Sequence, residues 1–232
     1  MTSEFINKII CGDCLELMNN IPNNSIDMIL TDPPYGINYL SHRSKNHTFI
    51  KNDNLDDWLK MLPKMFEQFK RIITDTGVCC CFCGGGGKTP VTALFTVEAI
   101  KYFNLIQTVV WEKFIGLGWK WRPAYENIVI LSKSKDNYNF YDTSNNLANV
   151  ITGINQAIPQ ADEHPTPKPL ALMEKLILIH SEKGMTVLDP FMGSGTTCLA
   201  AKNLKRNFIG IEIEPKYYEM ARNRIYGELF KN

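Results

Sequence analysis

The stretch MTVLDPFMGSGTTCLAAKNL (185–204) contains a short apolar strand, a glycine turn and the start of a helix. Gly193 and Gly195 let the backbone pass close to a ligand, and the N-terminus of the following helix offers N–H groups that have no intrahelical acceptor. Glu212 closes the next strand, 17 residues after Gly195, where a carboxylate could accept hydrogen bonds from both hydroxyls of a ribose. This order of elements is typical of a nucleoside site at a strand–helix turn.

The same turn lacks the third glycine of the dinucleotide-binding pattern G-x-G-x-x-G. Cys198 stands at that position, whereas the third glycine of the pattern normally allows close packing of the helix on the strand. The sequence therefore favours an adenosine cofactor without a pyrophosphate over a dinucleotide. Because two glycines alone are a weak signal, a tight turn that binds no ligand remains the alternative.

Apolar runs and helical spacings alternate along the rest of the chain. Seven runs predict strands: KIIC (8–11), IDMILT (26–31), GVCCCFC (77–83), LIQTVVW (105–111), NIVILS (127–132), MTVLD (185–189) and NFIGIE (207–212). Helices are predicted over 54–73, with a kink or break at Pro63, and over 89–103, 169–180, 196–205 and 215–226, with Pro215 in a first turn. The alternation predicts an α/β sandwich around a mostly parallel sheet.

A second motif, Asp32-Pro33-Pro34-Tyr35, directly follows the predicted strand IDMILT. The two prolines restrict the backbone and remove two N–H donors, so the carbonyl groups there remain available as acceptors. A carboxylate, a carbonyl and an aromatic face together suit a planar ring that bears an amino group. The alternative is a proline-rich turn with a buried tyrosine.

The two motifs together indicate methylation of an exocyclic amine. Such an amine is a poor nucleophile because its lone pair is delocalised into the ring. If Asp32 and the Pro33 carbonyl accept its N–H groups while Tyr35 stacks on the ring, the lone pair becomes localised on nitrogen. A methyl sulfonium held in line can then be attacked directly, so positioning and electrostatics carry the catalysis.

Length and composition are those of an ordinary globular domain. The 232 residues include 25 Lys and Arg against 24 Asp and Glu, a net charge of +1, with 44% hydrophobic and 21% charged residues. This excludes a disordered chain, a collagen-like repeat, a disulfide-rich miniprotein and a polybasic nucleic-acid binder. Without an apolar start or a run of about 18 apolar residues, the chain is expected to be cytoplasmic, with its seven cysteines reduced.

The order of the motifs, catalytic block before cofactor block, resembles the amino-directed DNA methyltransferases of the β class, which use S-adenosylmethionine. The resemblance extends to GDC (12–14), HPTPKP (164–169) and FIGIEIEPKYYEMARNRI (208–225), and more loosely to WEK (111–113) and RPAYENIVILSKSK (122–135). It implies one Rossmann-like catalytic domain over residues 1–232, with a mostly parallel seven-stranded sheet, helices on both faces and permuted motif order. Gly36 departs from this family, in which many members have Asn after the tyrosine.

Carried over by position, the resemblance implies two sets of site residues. The flipped base would be held by Asp32, Pro33, Pro34 and Tyr35, which carry the catalysis. The cofactor would contact Asp13 and Cys14 at the adenine edge, Thr166 and Lys168 at the methionine carboxylate, Asp189, Phe191, Gly193, Ser194, Gly195 and Thr196 at the turn, Glu212 at the ribose, and Asp32 beside them. A zinc site at Cys11, Cys14 and the cysteines of 79–83 is not expected, because their apolar neighbours are typical of buried free thiols.

The resemblance implies double-stranded DNA as the partner and no association with a membrane. It leaves open whether the protein forms a homodimer and whether it has a cognate restriction endonuclease. The segments 36–52 and 111–135 each have a local charge of +3, enough for several phosphate contacts. The predicted DNA-contacting loop covers about 36–53 and a short target-recognition insert covers about 136–163. The residues predicted to bind DNA are Arg43, Lys45, Lys51, Lys120 and Arg122.

The target base is less well determined than the reaction. Asp rather than Ser before the P-P-Y sequence favours N6 of adenine, with N4 of cytosine as the close alternative. Two hypotheses from other classes are a DNA-binding relic of the fold without catalysis and a nicotinamide-dependent oxidoreductase. The missing third glycine disfavours the oxidoreductase.

Overall fold

One mixed sheet of eight strands runs through the residues that the computed structural model describes, which are 4–37, 54–84, 89–113, 124–144, 146–156 and 167–227. All seven predicted strands are confirmed: β1 Lys8–Cys11, β2 Ile26–Thr31, β3 Ile73–Gly84, β4 Asn104–Glu112, β5 Tyr125–Ser132, β7 Thr186–Asp189 and β8 Asn207–Glu212. The eighth, β6, is Val150–Ile151 and pairs with β4. A strand of two residues has no hydropathy period of its own, so the predicted count of seven was one short.

The strand order is β1-β8-β7-β2-β3-β5-β4-β6. The first five strands of this order are mutually parallel, and β4 and β6 are parallel to each other. β5 is antiparallel to both of its neighbours, β3 and β4. The sheet is therefore mostly parallel, as predicted, with one reversed strand that brings its N-terminal residues to the edge where the neighbouring strands end.

The five predicted helices are confirmed as α2 Leu55–Ile72, α3 Val91–Ala99, α4 Leu170–His180, α5 Thr196–Asn203 and α6 Pro215–Tyr226. A short α1, Cys14–Leu17, continues into a 3-10 turn over Met18–Asn20. Pro215 occupies the first turn of α6, where its missing N–H would have had no intrahelical acceptor. Among the described residues, no helix is long and apolar enough to cross a membrane.

Of the kink or break predicted at Pro63, the break does not occur, because α2 continues through this residue. An internal proline costs about 3 kcal/mol. Against that, α2 buries six large side chains, each contributing about 1.5–3 kcal/mol: Trp58, Leu62, Met65, Phe66, Phe69 and Ile72. Burial of one helix face thus outweighs the local preference of the proline.

Both faces of the sheet are covered, and the cysteine-rich strand β3 contributes to both. Cys79, Cys81 and Cys83 pack on the side of α2 and α3, whereas Cys80 and Phe82 pack on the side of α4, α5 and α6. Burial raises the pKa of these four thiols well above its ordinary value, so they stay protonated. Cys11 is the exception to the expected burial, because it is exposed at the end of β1.

Candidate functional site

The two sequence motifs meet at one edge of the sheet. Asp32, Asp189 and Glu212 stand at the carboxyl ends of β2, β7 and β8, which are parallel strands of the same sheet. The Thr31 hydroxyl donates to Asp189 Oδ1 at 2.8 Å, across 158 residues of sequence. The ends of parallel strands beside a strand–helix turn are the usual place for a ligand in α/β proteins. The structure therefore places the predicted catalytic and cofactor blocks side by side.

The glycine turn has the conformation that its sequence requires. Gly193 and Gly195 have φ of 50° and 76°, in the left-handed region that favours glycine. A Cβ on Gly195 would lie 2.9 Å from the Cβ of Ala221 in α6, so this position also allows the helix to approach closely. Gly210 on β8 has a related role, since a Cβ there would meet the Cys198 sulfur at 2.7 Å. The cysteine at the third position of the glycine pattern thus packs against a glycine of the neighbouring strand.

Glu212 holds this turn and keeps capacity for a ligand. Its Oε2 accepts the Gly193 N–H at 2.8 Å and its Oε1 accepts the Glu214 N–H at 2.9 Å. A carboxylate has about four acceptor sites, so about two remain for the paired hydroxyls of a ribose. Burial raises the pKa of Glu212, and partners for the remaining lone pairs would favour its charged form. The remaining acceptor sites of Glu212 therefore fit the ribose of an adenosine cofactor.

Asp189 connects the glycine turn to the end of β2. Its Oδ1 accepts the Phe191 N–H at 3.1 Å in addition to the Thr31 hydroxyl. Burial raises the pKa of Asp189 to about 7, although hydrogen bonds from Thr197 and Thr31 act in the opposite direction. Asp189 therefore sets the shape of the turn through contacts within the protein, whatever contact it makes to a cofactor.

Four further predicted cofactor residues lie in the glycine turn or beside the end of β8. Asp13 Oδ1 accepts the Leu15 N–H at 2.8 Å and caps α1, while Cys14 is buried behind it. The Ser194 and Thr196 hydroxyls accept from Arg224 of α6, at 3.3 and 2.8 Å. Thr166 lies outside the described residues, and so do all five predicted DNA contacts: Arg43, Lys45, Lys51, Lys120 and Arg122.

In the catalytic block, two donors contact the Asp32 carboxylate. The Tyr35 hydroxyl donates to Oδ1 and the Lys168 ammonium donates to Oδ2. The side chain of Asp32 remains 23% exposed, so a third group can still approach it. Burial, followed by the charge of Asp32, raises the pKa of Tyr35 well above its ordinary value and keeps its hydroxyl protonated. The tyrosine ring lies against Gly84, where a Cβ would be 3.5 Å from Cδ2.

Two charged residues of this site were missed as site residues by the sequence analysis. Glu126 Oε2 lies 3.2 Å from the Lys168 ammonium, and Glu126 Oε1 accepts from the Lys113 ammonium at 2.7 Å. In the sequence, Lys113 and Glu126 contribute only to the local charge of the segment 111–135, which is predicted to face DNA. Their loose match to the family in WEK and RPAYENIVILSKSK was the available signal, but it carried no information about distance.

Two of the lysines that make the segment 111–135 basic form hydrogen bonds within the protein. Besides Lys113, the ammonium of Lys133 donates to the Ile73 carbonyl at 2.6 Å and to Asn24 at 2.7 Å. These two lysines are therefore anchored in the fold and do not add to a basic surface. Trp111 is buried, and its indole N–H donates to the Ile154 carbonyl at 2.8 Å.

The glycine that follows Tyr35 has a structural reason in this chain. Gly36 has φ of 67°, and a Cβ on it would lie 2.8 Å from Cβ of Trp58 and 3.1 Å from Cα of Leu55. Asn tolerates a positive φ, but any side chain here meets the start of α2. The departure from the family pattern is thus explained by the close packing of α2 on the turn that follows Tyr35.

Replacing Gly36 with alanine should lower the free energy of unfolding by about 2–4 kcal/mol, from backbone strain plus overpacking. Gly153→Ala is the matched control, because Gly153 has φ of 75° and nothing within 4 Å of its added Cβ. Urea denaturation of both variants separates strain from crowding. Equal losses in the two variants would show that the contact with Trp58 is unimportant.

Comparison with known proteins gives a consistent result. The family model described as DNA methylase matches residues 26–223. The Type II methyltransferase M.HpaI of Haemophilus parainfluenzae is 30% identical over 95% of this chain and 74% of its own length. M.HinfI of Haemophilus influenzae is 31% identical over 96% of this chain and 69% of its own length.

Solved structures share the fold. A crystal structure of the M1.HpyAVI–SAM complex has a TM-score of 0.73 and 28% identity, covering 94% of this chain and 98% of that one. The PvuII DNA methyltransferase, described as cytosine-N4-specific, has a TM-score of 0.78, covering 94% of this chain and 85% of that one. At 20% identity, the second likeness concerns the fold alone.

Proposed function

Because the chain belongs to the DNA methylase family of S-adenosylmethionine-dependent methyltransferases, with N6-adenine and N4-cytosine members, we propose that it methylates N6 of an adenine in double-stranded DNA. The observation that carries the proposal is the accessible Asp32 carboxylate beside Tyr35, joined to the glycine turn through Thr31 and Asp189. A base inside a duplex cannot enter such a site, so the adenine is flipped out of the stack.

Asp32 and Tyr35 prepare the target amine. When bound, S-adenosylmethionine supplies a methyl group on a positively charged sulfur. Asp32 accepts an N–H of the amine, which localises the nitrogen lone pair, and Tyr35 offers its ring for stacking while its hydroxyl donates to Asp32. Burial raises the pKa of Asp32, which suits a carboxylate that receives the proton lost by the methylated nitrogen.

The same geometry supports part of the proposed cofactor set. Glu212 has lone pairs for the ribose hydroxyls, and Gly193 and Gly195 give the turn before α5 its left-handed conformation. Asp13 and Cys14 at the adenine edge, and Lys168 with Thr166 at the methionine carboxylate, complete the proposed set. The proposed DNA contacts are the loop 36–53, the insert 136–163 and the basic residues Arg43, Lys45, Lys51, Lys120 and Arg122, with affinity that falls as salt rises.

The product identifies the base. We expect the purified protein with S-adenosylmethionine to convert adenines of unmodified genomic DNA to N6-methyladenine within one sequence context, read by base-resolved sequencing. The control is the same reaction without S-adenosylmethionine. N4-methylcytosine would overturn the choice of adenine. If the protein bound S-adenosylhomocysteine in calorimetry but methylated neither base in any DNA, the proposed activity would be wrong.

A further inference from the structure

Four side chains of alternating charge form a continuous row behind the catalytic turn. Asp32 contacts Lys168, Lys168 lies 3.2 Å from Glu126, and Glu126 accepts from Lys113 at 2.7 Å. Lys168, Glu126 and Lys113 are only 9%, 13% and 15% exposed. Lys168 also lies 5.0 Å from the centre of the Phe82 ring. Two carboxylates and two ammonium groups thus make a neutral, largely buried network that ends at the catalytic carboxylate.

Glu126 is brought into this network by the reversed strand. Because β5 is antiparallel to β3, its second residue, Glu126, pairs with Gly84 at the end of β3. Gly84 is the residue against which the Tyr35 ring packs. Lys113 follows β4, and its N–H donates to the Ala124 carbonyl at 2.6 Å, which joins the ends of β4 and β5. The pair of Glu126 and Lys113 therefore has a fixed position relative to the catalytic turn.

Stability alone does not account for such a network. Removing each ion from water costs several kcal/mol, and well-packed apolar residues of similar volume often give equal or greater stability. Asp32 must also keep an acceptor site for the target amine, and an ion pair that occupied its whole carboxylate would block that site. Tyr35 and Lys168 each occupy an acceptor site on its carboxylate, and the target amine needs a further one.

We propose that Glu126, anchored by Lys113, is a positioning residue for methyl transfer that holds the Lys168 ammonium at one side of Asp32 and leaves the other acceptor sites of Asp32 to the target amine. The inference rests on the proposed function and adds to it a residue outside both sequence motifs. With Glu126 present, the ammonium is shared between two carboxylates. Without this charge, it is drawn fully onto Asp32.

The network predicts the direction in which the pKa of Asp32 changes when Glu126 is replaced. The ionisable groups that act on Asp32 from neighbouring elements are Lys168, Glu126 and Tyr35, and Asp32 in turn acts on Cys83 and Asp189. After burial, Glu126 is one of the causes that raise the pKa of Asp32, while Lys168 lowers it. Replacing Glu126 with a neutral residue of the same shape should therefore lower the pKa of Asp32.

The test is the pH profile of methylation by Glu126→Gln and Glu126→Asp. For Glu126→Gln we expect kcat to fall about 10-fold or more and the acid limb to move down by about half a pH unit or more, since a nearby like charge is lost. Glu126→Asp keeps the charge, so its acid limb should stay at the wild-type pH with part of the rate restored. The control is Glu219→Gln on α6, where the carboxylate is 53% exposed; it should leave kcat and the acid limb unchanged.

A purely structural role for Glu126 would lower the rate of both variants without moving the acid limb, and that result would overturn the inference. A second measurement does not depend on activity. Carboxyl NMR of the ligand-free protein, with the Asp32 signal assigned through Asp32→Asn, should show a lower pKa of Asp32 in Glu126→Gln. An unchanged pKa also overturns the inference. If wild-type protein methylates no DNA, the proposed function fails instead, whatever the titration shows.

Discussion

Asp32→Ala should lower kcat for DNA methylation by about 10³-fold or more, because loss of one preorganised polar contact to a reacting group already costs about 10²–10³-fold. Alanine removes both acceptor oxygens, so the N–H groups of the target amine lose their charged partner and the lone pair stays in the ring. The turn should survive the change, since Thr31 still donates to Asp189 and Glu212 still holds Gly193. Single-turnover transfer of labelled methyl groups measures the effect.

The effect should be confined to the chemical step. We expect the calorimetric Kd for S-adenosylhomocysteine to change by less than about tenfold, because the proposed adenosine contacts at Asp13, Cys14 and Glu212 lie outside the motif that contains Asp32. Asp32→Asn is the matched variant: it keeps one carbonyl acceptor without the charge, and its rate should lie between wild type and alanine. If Asp32→Ala methylates DNA within tenfold of wild type, Asp32 does not activate the amine.

Lys168→Met should have the largest effect on stability. Lys168 neutralises Asp32 and Glu126 in a largely buried place, and breaking such a pair by removing one partner costs about 3–5 kcal/mol. Methionine has a similar length, so the loss comes from the missing charge rather than from a cavity. Guanidinium denaturation near neutral pH measures the change in the free energy of unfolding.

The loss of stability in Lys168→Met should also depend on pH, and its direction follows from two carboxyl groups. Lys168 lowers the pKa of both Asp32 and Glu126, so its removal raises both in the folded protein. A carboxyl group whose folded pKa is raised favours the folded state when it is protonated, so the deficit of the variant should shrink as pH falls and grow as pH rises through those pKa values.

Lys101→Met is the control for a surface charge. Lys101 is 58% exposed and its pair with Glu98 is a single-turn contact, so we expect a loss of about 0.5 kcal/mol or less. A similarly small loss for Lys168→Met would show that the network is not an electrostatic unit, and the role of Glu126 would lose its basis.

The elements of the fold were largely predictable because each depends on local patterns. Strands buried on both faces appear as continuous apolar runs, and amphipathic helices appear as 3.6-residue periods. The predictions were wrong where a longer-range effect dominates. Pro63 does not end α2 because one whole face of the helix is buried, and β6 exists only because its two residues reach the edge of β4.

In the candidate site, too, the residues that could be predicted are those in short local motifs. Asp32, Tyr35, Gly193, Gly195 and Glu212 each stand in a short motif whose chemistry follows from neighbouring residues, so the reaction could be inferred without coordinates. Their joint role in this chain remains a proposal, supported by the hydrogen bond from Thr31 to Asp189 that joins the two motifs.

The sequence by itself determined the α/β class, the two motifs and the kind of cofactor, because strand periodicity, glycine conformation and the order of residue types are local properties of the chain. Only the tertiary structure decided that Lys113 and Glu126 lie in one charged row with Lys168 and Asp32 and not on a basic surface. The physical reason is the reversal of β5, which places the start of that strand beside the end of β3. No spacing in the sequence records which strand runs backwards, or which charges it buries together.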